Sequence, residues 1–245
     1  MTSTRKAAIW VLALAVLLFV PFEAWRIIKQ WPQDLPWTRL DLRWPIGAFT
    51  GRKLAGLTQD FPRCQALLDE AGVRYTKMPP VVAGEGGACS YSDGVRFTGG
   101  GPRAVDLAPR DVGTSCAVAA ALAVWEREVL QPAAHKHFGS RVTAIDHLGS
   151  YSCRKMVGRY NSSWSQHARA NAIDVAGFRL ADGTRITVRG DWKGEGPKAA
   201  FLRDVRKGAC RLFTIVLSPD YNAAHEDHLH LDEMPGGEFG WRGCH

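Results

Sequence analysis

The chain has 245 residues, 46% of them hydrophobic and 22% charged. That ordinary globular balance excludes wholesale disorder, and the length suits one large domain or two small ones with a core that needs no staples. The formal charge is +7 and the pI about 9.3, yet no run of Lys and Arg exceeds two residues, so the charge reads as a solvated basic surface and no nucleic-acid partner is expected.

Ala7 to Phe22 is an uncharged apolar run preceded by Arg5 and Lys6, the positive start of a targeting segment. The run is shorter than the about 20 residues of an average membrane-spanning helix. Its exit, Val-Pro-Phe-Glu-Ala-Trp, lacks the alternating small residues of a cleavage site, so residues 1–25 read as an uncleaved signal anchor. Arg26 and Lys29 just beyond it oppose the positive-inside bias, so hydropathy alone does not set the orientation. Residues 26–58 carry Pro32, Pro36 and Pro45 with Trp31, Trp37 and Trp44, and Trp25 stands at the border. Proline breaks helices and tryptophan favours interfaces, so this stretch is expected to be an irregular tether lying against the membrane or the domain. Residues 59–245 form the domain.

Pro62 to Gly72 reads as a short helix stopped by glycine. Gly84 to Gly87 and Gly99 to Gly101 read as loops. Neither leads into a Lys-Ser/Thr pair, so no phosphate-cradling loop is expected. Ser115 to Phe138 is the strongest helix, with Ser115 as N-cap, a dense Ala/Leu/Val face for burial, and Pro132 to end or kink it. Strands are expected over Val142 to Leu148, Ala172 to Phe178, Arg185 to Val188, Phe213 to Leu217 and His228 to Leu231, with a helix from Pro197 to Gly208 among them. No regular βαβ rhythm is present, so the fold class is α+β with a mostly antiparallel sheet. The six cysteines, Cys64, Cys89, Cys116, Cys153, Cys210 and Cys244, form no C-x-x-C pair. Behind a hydrophobic N-terminus they read as disulfides in an oxidising compartment, with 15 connectivities open.

The chemistry concentrates in two stretches, Ser165 to Asp174 and His225 to Asp232, which hold four of the eight histidines. In a strand, His228 and His230 share one face while Leu229 and Leu231 take the other. Ala172, Asp174 and Ala176 share a face in the same way, with Ile173 and Val175 opposite, and the small neighbours leave room beside the carboxylate. His167, Asp174 and His230 then form a His/Asp/His set with a fourth position open, the pattern of catalytic zinc. A nearby base completes the site: His228, with His225, Glu226 and Asp227 as rivals. Asp232 reads as a group that orients a histidine or faces solvent, with a further ligand as the other option. His135, His137, His147 and His245 read as surface or packing residues.

Ser165, His167, Ala170, Ala172 and Asp174, followed downstream by His228-x-His230, resemble the motif of the zinc peptidases that include lysostaphin, the D-alanyl-D-alanine carboxypeptidases and the hedgehog signalling domain. Ala170 stands where glycine is usual. His225-x-x-His228-x-His230 resembles the ending of the penicillin-insensitive murein endopeptidases. In the carboxypeptidases a Glu lies three residues before the last ligand, where this chain has Asp227. Phe138-Gly-Ser, Gly149 to Arg154, Asn171 to Phe178, Asp191-Trp192 and Leu217 to His225 resemble more closely the bacterial extensin-like C-terminal domain family, from about Arg52 to Cys244. The resemblance implies a D-Ala-D-Ala-metallopeptidase/hedgehog-like fold with Zn2+ on His167, Asp174 and His230. It implies Arg154 as a substrate grip, with Ser165 as a further substrate contact or a turn cap. It also implies peptidoglycan peptide stems as substrate and a single-pass inner-membrane protein whose domain faces the periplasm or cell wall. A non-catalytic zinc module that binds the wall is the rival expectation.

Overall fold

A computed structural model describes residues 3–98, 105–156, 163–235 and 242–245. Helix α1 (Ser3–Gln30) contains the apolar run and extends past it, with Pro21 inside. Its apolar window has a mean hydropathy of 2.3 and is 0% buried, so one N-terminal helix is apolar enough to cross a membrane. The stretch expected to be an irregular tether against the membrane or the domain packs on the domain and contributes to its core. Its prolines do break the chain after Gln30, but α2 (Thr50–Ala55) forms within it, and Leu40, Leu42, Leu54 and Leu57 enter the core. Without a helical or strand period, those leucines give no pattern that sequence reading detects.

Helix α3 (Phe61–Glu70) starts at Asp60, whose carboxylate accepts from Arg63 N. Three of the next four strands, β1 (Tyr75–Lys77), β2 (Gly94–Phe97), β3 (Asp106–Ala108) and β4 (Gly113–Ser115), form a small antiparallel sheet in the order β1-β2-β4. None of the four was expected. The expected Gly84 to Gly87 loop holds a 3₁₀ turn with positive φ at Gly84, Gly86 and Gly87. The Gly99 to Gly101 loop lies outside the described residues.

The expected long helix divides. In α4 (Cys116–Trp125) the Ser115 hydroxyl accepts from Val118 N at 3.3 Å, and every residue but Ala123 is buried. Glu126–Leu130 widens into a π turn, and α5 (Gln131–Phe138) follows with Pro132 in its first turn, where a missing N–H costs nothing. The π turn thus absorbs the break that Pro132 would otherwise impose.

The remaining elements are β5 (Val142–Gly149), β6 (Ala172–Leu180), β7 (Arg185–Thr187), α6 (Val188–Asp191), α7 (Pro197–Ala209), β8 (Ile215–Leu217), β9 (Leu229–Asp232) and β10 (Gly243–Cys244). The expected strands over 213–217 and 228–231 start later than expected. Val188 opens α6, where the Thr187 side chain caps Gly190 N. The main sheet runs β10-β8-β9-β6-β5-β3, with β7 also on β6. Its β3–β5 and β8–β10 pairs are parallel and the others antiparallel, so the fold is α+β with a mixed, mainly antiparallel sheet. Trp125 joins helix to sheet. Its ring meets Phe178 edge-on at 5.9 Å and Phe213 at 6.3 Å, and its indole N–H donates to Val205 O at 3.0 Å.

All six cysteines are paired: Cys64 with Cys116, Cys89 with Cys153 and Cys210 with Cys244. The Cys89–Cys153 bond spans 64 residues, and closing a loop of that size stabilises by about 4 kcal/mol in the chain-entropy model. Changing both Cys89 and Cys153 to Ser is expected to lower the free energy of unfolding by about 2–5 kcal/mol in a denaturant titration. An unchanged midpoint and slope would show that the bridge holds nothing.

Candidate metal centre

Asp174 and His230 are placed by direct pairing of β6 with β9, where they are register partners. Leu229 and Leu231 enter the core, as do Ile173 and Val175, so both polar side chains take the opposite face. Two slips in the β5–β6 register bracket the adjacent His147–Val175 pair, since Asp146 pairs with Gly177, His147 with Val175, and Gly149 with Asp174. The extra residues are Ala176 and Leu148. A bulge resets the alternation, which is how Phe178 and Leu180 return to the core after Val175. The expectation that Ala176 continues the face of Asp174 therefore stops at the bulge.

His167 arrives on a 3₁₀ turn (Gln166–Arg169) whose N-cap is Ser165, the hydroxyl accepting from His167 N at 3.3 Å. Ala170 ends the turn at φ +54°, the one non-glycine positive φ among the described residues. The left-handed conformation, which favours glycine, sends the chain back into β6. The carbonyl of Ala170 accepts from Ser115 N at 2.7 Å, fixing the turn to the start of α4. Ala170→Val puts a branched, buried side chain into this conformation and is expected to cost about 2 kcal/mol or more. Thermal unfolding reads this, and a variant as stable as the parent would show that the turn relaxes freely.

Three ligand atoms converge. His167 Nε2 lies 3.1 Å from Asp174 Oδ1 and 3.1 Å from His230 Nδ1, and the last two atoms are 3.0 Å apart. The far nitrogen of each imidazole fixes its tautomer. His167 Nδ1 donates to the Ser150 carbonyl at 2.5 Å, and His230 Nε2 donates to Asp232 Oδ2 at 3.2 Å. In the neutral rings, two lone pairs and a carboxylate oxygen then face one point. One proton cannot satisfy all three at once, but a cation can. Bonds of about 2.0–2.1 Å at tetrahedral angles separate neighbouring ligand atoms by about 3.3–3.4 Å, close to the separations here. The histidine–acceptor pairs match the outer supports that orient metal-binding imidazoles. Among the described residues, these three side chains form the one such group, and all are buried. Two imidazoles and a carboxylate suit zinc.

Charge follows the geometry. Burial pushes the Asp174 carboxyl up, but hydrogen bonds and charge from His167 and His230 outweigh it and hold the group well below the usual carboxylate range. Burial pushes His230 down, and the carboxylates of Asp174 and Asp232 raise it to about 9.

The remaining expected residues divide by position. His228 Nδ1 donates to Asp227 Oδ1 at 2.7 Å, which leaves Nε2 free to accept and 3.5 Å from Asp174 Oδ1. Asp227 is thereby occupied in orienting His228. Glu226 pairs with Arg189 on the surface. The ring of His225 lies 5.3 Å from His228 and 5.9 Å from His230, with Nδ1 donating to Asn222 Oδ1 at 2.7 Å. Burial, together with the charges of His230 and His228, lowers it to about 4, so it is neutral at pH 7. Arg154, half exposed, holds Nη2 3.8 Å from Asp174 Oδ2. Asp232 is buried and orients His230, and its Oδ1 accepts from Met234 N. His147, expected on the surface or in packing, is buried and bonds to Pro109 O at 2.7 Å.

A family model for the extensin-like protein C-terminus matches residues 62–245. The chain belongs to that extensin-like family. The match begins inside α3, so the core leucines contributed by residues 40–57 lie ahead of the matched region. No curated protein and no solved structure matches the chain.

Two supporting residues of this extensin-like domain were not singled out from sequence. Ser150 acts through its carbonyl, on which no side-chain signal bears, and its hydroxyl donates to Ala172 O at 2.6 Å. Asn171 is buried, accepts from Ser115 Oγ at 2.7 Å and donates to the carbonyl of Glu233. It thereby ties α4 and the end of β9 to the His167 turn. Asn171 belongs to the run that carries the family resemblance, but its residue type alone gave it no role.

Proposed function

We propose that this extensin-like domain is a zinc-dependent peptidase that hydrolyses peptide bonds in the stems of peptidoglycan. In this reading α1 anchors it in the inner membrane and the domain faces the periplasm or cell wall. The observation that carries the reading is the meeting of two fixed imidazole lone pairs and one carboxylate oxygen within 3.0–3.1 Å of one another. The likeness of the His167–Asp174 and His228–His230 motifs to the lysostaphin, carboxypeptidase and hedgehog group supports it. Three disulfides fit an oxidising compartment.

His167 through Nε2, His230 through Nδ1 and Asp174 through Oδ1 would hold the ion. Zinc in such a site supplies Lewis acidity toward a carbonyl and makes water acidic enough to give a nucleophile at neutral pH. His228 is oriented by Asp227 with its free Nε2 toward the centre, so it accepts the proton of the attacking water and returns it to the leaving amine. Arg154 presents a guanidinium at the rim, suited to a peptide carboxylate or a developing oxyanion. Ser165 is spent on the turn and acts by positioning His167.

The test is digestion of defined muropeptides by the purified full chain, with and without chelator, with products weighed by mass spectrometry. Chelator-sensitive loss of an amino acid or peptide is expected. Intact muropeptides together with retention on insoluble peptidoglycan would favour a non-catalytic wall-binding module.

A further inference from the structure

Tryptophan is used in two opposite ways in this chain. Trp125 and Trp192 are buried, at 0% and 6% exposed, whereas Trp31, Trp37 and Trp44 are 55%, 73% and 39% exposed. Those three lie on the segment that follows α1 directly. That segment is not a loose linker. Lys53 Nζ donates to Pro32 O, Gln33 Oε1 and Thr38 Oγ1 at 3.3, 3.1 and 2.8 Å. Arg127 donates to the carbonyls of Leu42 and Trp44, and Arg211 to that of Ile46. Leu40 and Leu42 are core residues. The exposed indoles are therefore mounted on a base bonded to the domain.

Trp31 and Trp44 also share a cavity of about 180 Å³ with Pro32, Pro45, Asp34 and Lys29, the last from the final turn of α1. Lys29 Nζ stands 4.4 Å over the Trp25 ring. Indole rings with adjacent lysine at the end of an apolar helix match the boundary between lipid headgroups and acyl chains, where the ring is half buried and the ammonium meets phosphate.

We infer that Trp31, Trp44 and Lys29 form a foot that seats the domain on the headgroup boundary of the bilayer crossed by α1. The inference rests on the reading of α1 as a membrane anchor. The domain then has a fixed attitude on the membrane, because the base carrying the foot is bonded to Arg127 of the π turn and to the core. The candidate metal centre accordingly works at a set height above the bilayer and does not range along a flexible stalk.

The experiment is hydroxyl-radical footprinting of the full chain in nanodiscs of phosphatidylethanolamine and phosphatidylglycerol, with oxidation read residue by residue. Trp10, near the start of the apolar run, reports the anchor separately, and Tyr221, 43% exposed, is the water-exposed reference. The expected result is that Trp10 is protected and that Trp31 and Trp44 oxidise severalfold more slowly than Tyr221. Protection of Trp10 with Trp31 and Trp44 oxidised at the rate of Tyr221 overturns the foot and leaves the anchor intact. Free oxidation of Trp10 overturns the anchor, and the foot with it.

Discussion

Changing Asp174 to Asn is expected to weaken zinc binding by more than the about 10–100-fold that loss of an outer supporting group produces, and to abolish hydrolysis in the same preparation. The amide keeps the shape of the side chain and removes its charge, so two imidazoles are left facing a neutral group. Asp232→Asn sets the scale, since it touches only the far nitrogen of His230 and should cost no more than the about 10–100-fold of a supporting residue. Competition titration against a chromogenic chelator measures both. Equal losses in the two variants would remove Asp174 from the ligand set. The pH behaviour of the metal-free chain carries the same information. The folded Asp174 carboxyl lies below its ordinary value of about 3.9, so its contribution to stability is present above that pH and is lost as acid protonates it. His230 is raised to about 9, so its contribution is present below its ordinary value of about 6.5 and disappears as the pH climbs through about 9. Zinc bound there would take the place of the proton on His230, and loading at pH 7 should release a proton detectable by calorimetry in buffers of different ionisation enthalpy.

His228→Ala is expected to separate catalysis from binding. The ring faces the centre without belonging to the triangle of ligand atoms, so zinc content should stay near that of the parent while kcat falls by about 10²–10⁴-fold, the usual worth of a positioned acid–base group. Asp227→Ala removes the acceptor that orients His228 and should lower kcat less, with KM unchanged. A His228→Ala variant that loses its zinc would make His228 a ligand. One that retains full activity would transfer the proton to His225, the neutral neighbour whose ring lies 5.3 Å away.

The facing of Asp174 and His230 was readable in the sequence because both strands keep alternation around them. Leu229 and Leu231 must be buried, which fixes His230 outward, and Ile173 and Val175 do the same for Asp174. Sequence reading failed where a physical event has no period. Extra residues at Leu148 and Ala176 shift the register of β5 on β6, and nothing in the residue types announces it. The leucines between Pro32 and Thr58 enter the core through irregular backbone, so a stretch that looked like a tether became part of the domain. The support of His167 by Ser150 runs through a main-chain carbonyl, which every residue owns. Nothing in the residue type of Ala170 announced its left-handed conformation, which favours glycine.

The most direct measurement is X-ray absorption at the zinc edge on the zinc-loaded full chain, with metal content determined on the same sample. One zinc per chain is predicted, with two imidazole nitrogens and light oxygen atoms at about 2.0–2.1 Å and no sulfur, since every cysteine is in a disulfide. Substoichiometric zinc, or a shell of oxygen alone without imidazole scattering, would contradict the convergence of His167, Asp174 and His230 on a metal.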